Sequence, residues 1–177
     1  SPHQVAFTRS FDSPNGLALL EADRFSVVAG QANVVVQGEG ALLAFGNSRD
    51  IAAWVAPFAH GQVGADATTR SLTLSPVPND TAATEAYAAL VEVQDPKDIA
   101  VPSPRDRDLW QEERGVALAD PETTAEADAG AAVDPQTADA DTVRLPVALA
   151  PDEAILVSVA ESSAPATLSI EWVQDRS

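Results

Sequence analysis

The chain has 177 residues, of which 45% are hydrophobic, and a formal net charge of −17 at pH 7. This length and composition predict one globular domain spanning residues 1–177. The charge disfavours nucleic acid and anionic membranes as partners, because both are polyanions. The absence of cysteine excludes disulfides, thiol catalysis and cysteine-held metal centres. Lys97 is the single lysine beside many Ala, Asp and Arg residues, a bias that indicates a GC-rich genome or, as the alternative, life at high salt.

The first part of the chain is predicted to be rich in short strands. Residues 4–11 alternate between polar and apolar and predict an edge strand, which ends in the turn-forming run 12–16. Apolar segments at 17–20 and 25–29 predict two further strands. Residues 34–36 and 41–45 flank a glycine-bearing turn and therefore predict a β-hairpin.

One amphipathic helix is predicted directly after this hairpin. Ser48 is a favourable N-cap, Asp50 suits the positive end of the helix dipole, and Pro57 is predicted to end the helix. We expect the helix to close one edge of the β structure. Its apolar residues recur at i, i+3, i+4 and i+7 and are predicted to be buried: Ile51, Trp54, Val55 and Phe58.

The middle of the chain contains one clear strand and one ambiguous segment. Residues 71–75 alternate between polar and apolar and predict a strand with one solvent-exposed face, ending at Pro76. Residues 79–93 fit an Ala-rich helix, capped by Asn79 or Asp80, but 87–93 fit a strand equally well. We favour a helix that passes into a strand. One helical face would present Tyr87, Leu90 and Val91.

A highly charged stretch, residues 105–114, follows a proline-rich crossing at 95–104. One interpretation is a surface strand or turn whose charges pair with one another while Trp110 packs down. The other is a recognition patch centred on Trp110, because an exposed tryptophan among charges is typical of binding hot spots. The candidate binding residues are Trp110, Arg105, Arg107, Asp108 and Glu112.

Residues 117–141 differ in composition from the rest of the chain. They consist mainly of Ala, Asp, Glu, Thr and Pro, with no lysine, arginine or aromatic residue. Such a segment buries too little apolar surface to offset the entropy of ordering. We therefore expect a mobile acidic insertion within the domain.

The last part of the chain shows clear β patterning. Residues 142–149 alternate, and Pro146 indicates an edge strand. A turn at 150–153 and two further segments, 155–160 and 167–172, predict a meander of three strands, with Trp172 in the core like Trp54. The predicted fold class is mainly β, an antiparallel sandwich or barrel-like sheet with one or two short helices. The alternative is an α+β fold.

The sequence contains none of the usual catalytic or nucleotide-binding motifs. His60 is expected to meet the C-terminal dipole of the first helix. Adjacent acids such as Glu112 and Glu113 do not predict a glycosidase site, because aromatic platforms other than Trp110 are missing around them. Asp106 with Asp108 lacks the spacing of a calcium loop, as does the acidic pair at 139 and 141. We predict no catalytic residue, no metal ligand and no cofactor; a divalent cation is an unsupported candidate partner.

Four stretches carry a resemblance to known proteins. They are GEGALLAFGNSRDIAAWVAPFAHGQV, TRSLTLSPV, SPRDRDLWQEE and VALAPDEAILVSVAE, and together they cover about a third of the chain. They resemble uncharacterised membrane-tethered or secreted proteins of actinobacterial cell envelopes. The resemblance implies an extracytoplasmic domain and supplies no catalytic residue. Together with the start at Ser1, it leads us to expect that an N-terminal signal or membrane anchor has been removed.

These observations lead to three hypotheses of function. The first is a non-catalytic extracytoplasmic interaction module that serves a cell-envelope membrane protein or assembly. The second is a ligand- or glycan-binding β-sandwich module, which would need exposed aromatic residues on a concave sheet face. The third is a hydrolase with unrecognised carboxylates, which would need two acidic groups that converge in a cleft.

Overall fold

The computed structural model describes residues 2–102, 116–118, 142–160 and 165–175. Within these residues the fold is mainly β, as predicted, with two α-helices. The helices are α1 (Ser48–Val55) and α2 (Thr81–Leu90). The strands are β1 (Pro2–Ser10), β2 (Leu17–Glu21), β3 (Gln31–Gln37), β4 (Leu42–Asn47), β5 (His60–Asp66), β6 (Ser71–Val77), β7 (Val116–Leu118), β8 (Thr142–Pro146), β9 (Glu153–Ser158) and β10 (Thr167–Asp175).

The strands form two sheets. One has four strands in the order β1-β10-β3-β8, and the other has six in the order β6-β5-β2-β9-β4-β7. Every pairing among these strands is antiparallel except that of β2 with β5. In the part of the chain that is described, the sheets form an open sandwich and no closed barrel. β1 and β8 are edge strands, as predicted.

The main core lies between the two sheets. Trp172 is fully buried there, as predicted: its ring contacts Phe7 edge to face at a centroid distance of 4.9 Å. Its indole N–H donates to the carbonyl of Phe25 at 2.8 Å, so the polar atom of the ring is satisfied. Inward-facing residues of both sheets complete this core, among them Val34, Val36, Leu43, Ile155, Val157, Leu168 and Ile170.

A second apolar cluster, the outer cluster, lies on the other face of the six-stranded sheet. α1 covers this face with Ile51 and Val55, both almost fully buried, while Trp54 is partly buried. The helix therefore lies on a sheet face, and the prediction that it closes an edge is wrong. The sheet residues beneath it are Leu17, Leu19, Leu42, Ala44, Ala154 and Leu156.

The predicted hairpin of residues 34–36 and 41–45 is wrong, although both segments are strands. β3 belongs to the four-stranded sheet and β4 to the six-stranded sheet. The turn between them, with Gly40 at a φ of 64°, carries the chain from one sheet to the other. Because β4 lies between the main core and the outer cluster, both of its faces are buried, and its sequence is continuously apolar rather than alternating.

The predicted C-terminal meander is wrong in its pairing but correct in its strands. β8 pairs with β3, β9 pairs with β2 and β4, and β10 pairs with β1 and β3. The chain thus alternates between the sheets at each turn. The turn at 150–153 is present, with the Glu153 N–H donating to the Ala150 carbonyl at 2.9 Å.

Three local predictions also need correction. The N-cap of α1 is Asn47, whose side chain accepts from the N–H groups of Arg49 and Asp50, and Ser48 instead donates to Glu21. Residues 25–29 form no strand, because the chain turns through a 3₁₀ segment, Ala22–Ser26. β6 continues through Pro76, which an edge strand tolerates.

The first two residues of the predicted acidic insertion lie in a strand. Ala117 and Leu118 belong to β7 and pair with Leu43 and Leu42 at the edge of the six-stranded sheet. The remaining residues of that prediction, 119–141, lie outside the described residues.

Candidate interaction surface

The binding residues predicted from the sequence lie outside the described part of the chain. These are Trp110, Arg105, Arg107, Asp108 and Glu112, and the acids of the two considered calcium sites lie there as well. The described residues on either side of this stretch are placed: Val101 packs on the outer cluster, and Val116 pairs with Ala44 in the sheet. The surface described below is therefore built from other residues, those of the helix layer.

Three aromatic rings connect the two helices. The Phe58 ring contacts Trp54 at a centroid distance of 5.8 Å and Tyr87 at 5.1 Å, both in edge-to-face geometry. Such pairs stabilise by about 0.5–1.5 kcal/mol beyond the area they bury. Tyr87 thereby attaches α2 to the outer cluster.

Hydrogen bonds hold the start of α2 to the end of α1. The Asp80 N–H donates to the Ala56 carbonyl at 2.9 Å, and the Asp80 side chain caps α2 by accepting from the Ala83 N–H at 2.9 Å. The buried Thr84 hydroxyl lies 2.7 Å from the Pro57 carbonyl and accepts from the Asn79 side-chain amide at 2.7 Å. α2 is thus fixed by a threonine and a tyrosine rather than by an aliphatic stripe.

The opposite face of α2 is apolar and exposed to solvent. Leu90 is 78% exposed and Val91 is 42% exposed. The sequence prediction placed Tyr87, Leu90 and Val91 on one helical face; Tyr87 packs on the outer cluster, whereas Leu90 and Val91, at the end of the helix, remain exposed. The predicted strand within residues 87–93 is also absent, since α2 continues to Leu90 and residues 91–93 form no strand. We call the exposed face, formed by Ala82, Ala86, Ala89 and Leu90, the α2 outer face.

Glu92 occupies an unusual position where α2 ends. The helix closes in a Schellman motif, with the Val93 N–H donating to the Ala88 carbonyl at 2.8 Å and the Glu92 N–H to the Ala89 carbonyl at 3.2 Å. This motif places Glu92 in the left-handed region, at a φ of 59°, where glycine is favoured. A carboxylate is also unfavourable there, because the C-terminal end of a helix carries partial negative charge.

The charges around the α2 outer face are mostly negative. Of the five charged residues between positions 81 and 102, four are acidic and one is basic. All five side chains are exposed, so they define the potential at the surface rather than the stability of the fold. They are Glu85, Glu92, Asp95, Lys97 and Asp98.

The sequence predicted that His60 meets the C-terminal dipole of α1, but its hydrogen bond is made elsewhere. It lies at the start of β5, is 7% exposed, and its Nδ1 is 2.8 Å from the carbonyl of Phe58. Its hydrogen bond is therefore made to the loop that carries Phe58, two residues earlier in the chain.

The solvent face of the four-stranded sheet is the other broad described surface. It carries a hydroxyl pair, Thr8 with Ser169 at 2.8 Å, and an ion pair between Arg144 and Glu171. None of the described side chains on this face is aromatic. The stacking platforms that a glycan-binding sheet face would use are thus not found among these residues.

Comparisons with protein-family models, with curated proteins and with solved structures find no match to this chain. Within the described residues, no group of three or more His, Cys, Asp or Glu side chains is placed to hold a metal ion. None of the described helices has the length and apolar character that crossing a membrane requires.

Proposed function

We propose that this chain is a non-catalytic extracytoplasmic interaction module that serves a cell-envelope membrane protein or assembly. The observation that supports an interaction module is the α2 outer face, where Leu90 is 78% exposed at the end of an apolar helical stripe. Helices on protein surfaces normally direct polar residues to water. α2 has one charged residue, Glu85, among its ten.

The fold does not need Leu90 for the docking of α2. Thr84, Tyr87 and Ala88 make the contacts with the rest of the molecule, whereas Leu90 stays exposed. An exposed leucine alone is ordinary on protein surfaces. Here, however, it continues into three exposed alanines, and such contiguous apolar patches are typical of contact sites.

The proposal includes Trp110 and its flanking charges as a second part of the binding surface. Val101 packs on the same outer cluster as Tyr87, and in the sequence it lies four residues before Arg105. The extracytoplasmic location and the envelope partner are motivated by the resemblance of the sequence to secreted and tethered actinobacterial proteins.

The test is affinity capture from detergent-solubilised envelopes of the source organism, with the whole chain as bait. Leu90→Gln and Trp110→Ala are the site variants, and Val173→Thr, on the far sheet, is the matched control. We expect one membrane protein that the wild type and the control retain, that both site variants lose, and that binds the purified chain directly. Equal retention by all four baits would contradict the proposed sites.

The location is tested separately, by protease treatment of intact cells followed by detection of the chain. Digestion without cell lysis is expected. Full protection until lysis would contradict the extracytoplasmic assignment.

A further inference from the structure

Three of the four strand edges in the described sheets carry a feature that hinders pairing with another chain. β7 has only 3 residues. β8 contains Pro146, which has no N–H, and the exposed Arg144. β6 contains Pro76. Short strands, prolines and charged side chains are the usual means by which proteins protect the edges of their sheets.

β1 is the exception among these edges. It has 9 residues, and among the described strands it pairs with β10 alone. After Pro2 it contains no proline, and its exposed residues Gln4, Ala6, Thr8 and Ser10 are uncharged. A sheet edge of this length and character is a template for the addition of another strand.

The ladder between β1 and β10 shows which backbone groups of β1 are free. The Phe11 N–H donates to the Ala166 carbonyl at 2.8 Å, directly after the last paired residues of the two strands. In an antiparallel pair, residues that exchange these bonds alternate with residues whose N–H and C=O point the other way. Positions 9, 7 and 5 therefore bond to β10. The backbone groups of Gln4, Ala6 and Thr8 point to the free side, where they select an extended chain.

Arg9 lies where this free edge ends. Its Nε donates to the Ser10 carbonyl at 3.0 Å and its Nη1 to the Leu72 carbonyl of β6 at 3.4 Å. A guanidinium has five N–H donors, so donors remain after these two bonds. The ion pairs among the described residues belong to other arginines, Arg24 and Arg144. Arg9 can thus bind a carboxylate that arrives with an added strand.

The charge on this side of the sandwich differs from that of the whole chain. The chain has 27 Asp and Glu against 10 Lys and Arg, yet β1 and β6 contain no acidic residue. Arg9 lies in β1 and Arg70 directly precedes β6, while the acids Asp12 and Asp66 lie beyond the strand ends. The Debye length is about 8 Å at physiological salt, so near charges outweigh distant ones. This side complements an acidic segment.

A second copy of the chain fits the β1 edge less well. Its own β1 would bring Val5 and Phe7, which are 9% and 1% exposed in their own core and have little apolar surface left to bury. Two chains of charge −17 also repel each other. A free segment can instead place apolar side chains beside Leu74, which is partly buried on β6, the strand that contacts β1.

We infer that the β1 edge binds an extended acidic segment of a partner protein as an added strand. Gln4, Ala6 and Thr8 supply the main-chain hydrogen bonds, and Arg9 binds a carboxylate. This surface goes beyond the proposed function, because it lies on the four-stranded sheet and the α2 outer face lies outside the six-stranded sheet. A failure of the α2 outer face to bind would leave the β1 edge unaffected.

Hydrogen exchange of the free chain tests the edge itself. The amides of Gln4, Ala6 and Thr8 should exchange faster than those of Val5 and Phe7, which donate to β10. Equal protection of both sets would show that the edge is already covered, and the inference would be overturned.

The binding test uses a defined probe, a short peptide of alternating valine and threonine with a glutamate at each end, titrated into the ¹⁵N-labelled full chain. We expect the largest amide shifts at positions 4, 6 and 8. The same peptide with every inner amide N-methylated is the backbone control, and a lysine-ended peptide is the charge control. Both should bind about tenfold more weakly or less. Equal binding of either control would contradict strand addition by an acidic segment.

Ala6→Pro removes the central free N–H. Proline is tolerated where the N–H faces away from the sheet, so the ladder with β10 should remain. Binding of the glutamate-ended peptide should fall about tenfold or more, because a hydrogen bond is lost and the ring hinders close approach. Ala6→Thr keeps the N–H and suits a strand, so this matched control should bind like the wild type. Equal affinity of the two variants would rule out main-chain pairing at this edge.

Arg9→Gln tests the charged contact. The wild type should prefer the glutamate-ended peptide over a glutamine-ended one by about 3–10-fold, and Arg9→Gln should lose this preference. Arg144→Gln removes the same charge from β8, at the opposite edge of the sheet, and should keep it. An equal loss in both variants would indicate unspecific attraction and remove the role of Arg9.

Two further outcomes would overturn the inference. Amide shifts centred on β6 or β8 would place strand addition at another edge. Sedimentation showing a dimer that Ala6→Pro dissolves would make the occupant a second copy of the chain.

Discussion

The two helices of the outer layer differ in what their apolar residues do. α1 directs Ile51 and Val55 into the six-stranded sheet, where both are almost fully buried, and Phe58 follows them. α2 is two residues longer and contains more alanine, yet it buries mainly Thr84 and Ala88 and leaves Leu90 exposed. α1 is therefore part of the core, whereas α2 is attached to the end of α1.

This difference separates apolar residues that stabilise the fold from apolar residues that remain available for contact with a partner. Burial of one large aliphatic side chain stabilises a protein by roughly 1.5–3 kcal/mol, and α1 uses its apolar residues in this way. Leu90 contributes almost nothing of that kind, because most of its surface remains in water in the folded chain. Its apolar surface is available to a partner instead.

Ile51→Ala should have the largest effect. The side chain is fully buried between α1 and the sheet, so its removal leaves a cavity as well as losing transfer free energy. We expect the free energy of unfolding to fall by about 2–5 kcal/mol, measured by urea denaturation. A loss below about 1 kcal/mol would mean that α1 is not a core element.

Thr84→Val tests how α2 is attached. The change keeps the shape but removes the hydroxyl that bridges Asn79 and Pro57, at an expected cost of about 1–3 kcal/mol. Hydrogen exchange should accelerate in α2 and remain slow in β9. Thr84→Ser, which retains the hydroxyl, should exchange almost like the wild type, and equal acceleration in both variants would argue against the bridge.

Sequence patterns predicted the elements better than their arrangement. Alternation identified β1, β8 and β10, and the i, i+3, i+4 spacing identified α1, because these signals are local. Strand partners depend on how the chain crosses between sheets, and no local signal separates a hairpin from such a crossing in residues 34–45. The continuous apolar run of β4 was the one available sign of burial on both faces.

The α2 outer face could not be predicted for a related reason. The spacing placed Leu90 beside Tyr87, but beyond Tyr87 the helix is docked by the Thr84 hydroxyl and the small Ala88, which carry little hydrophobic signal. The left-handed conformation of Glu92 arises from the Schellman closure and leaves no trace in composition. The charged stretch around Trp110 was identified by composition alone and stays a prediction.

Removal of the two N-caps should destabilise different parts of the molecule, although each cap stabilises its helix by about 1 kcal/mol. Asn47→Ala should lower the global free energy of unfolding, because α1 is packed into the outer cluster. Asp80→Ala should mainly speed hydrogen exchange in α2, since the Asp80 N–H bond to Ala56 is retained. If both variants lose the same global stability, α2 is as much part of the cooperative core as α1.

Leu90→Gln should have the smallest effect on folding. Glutamine matches leucine closely in helix propensity, and a surface change of this kind normally alters the free energy of unfolding by less than about 0.5 kcal/mol. The measurement is urea denaturation beside Ile51→Ala, so that both helices are compared under one condition. A loss above about 1.5 kcal/mol would show that another part of the chain buries Leu90 in solution. The α2 outer face would then belong to the fold, and the proposed interaction surface would lose its largest apolar side chain.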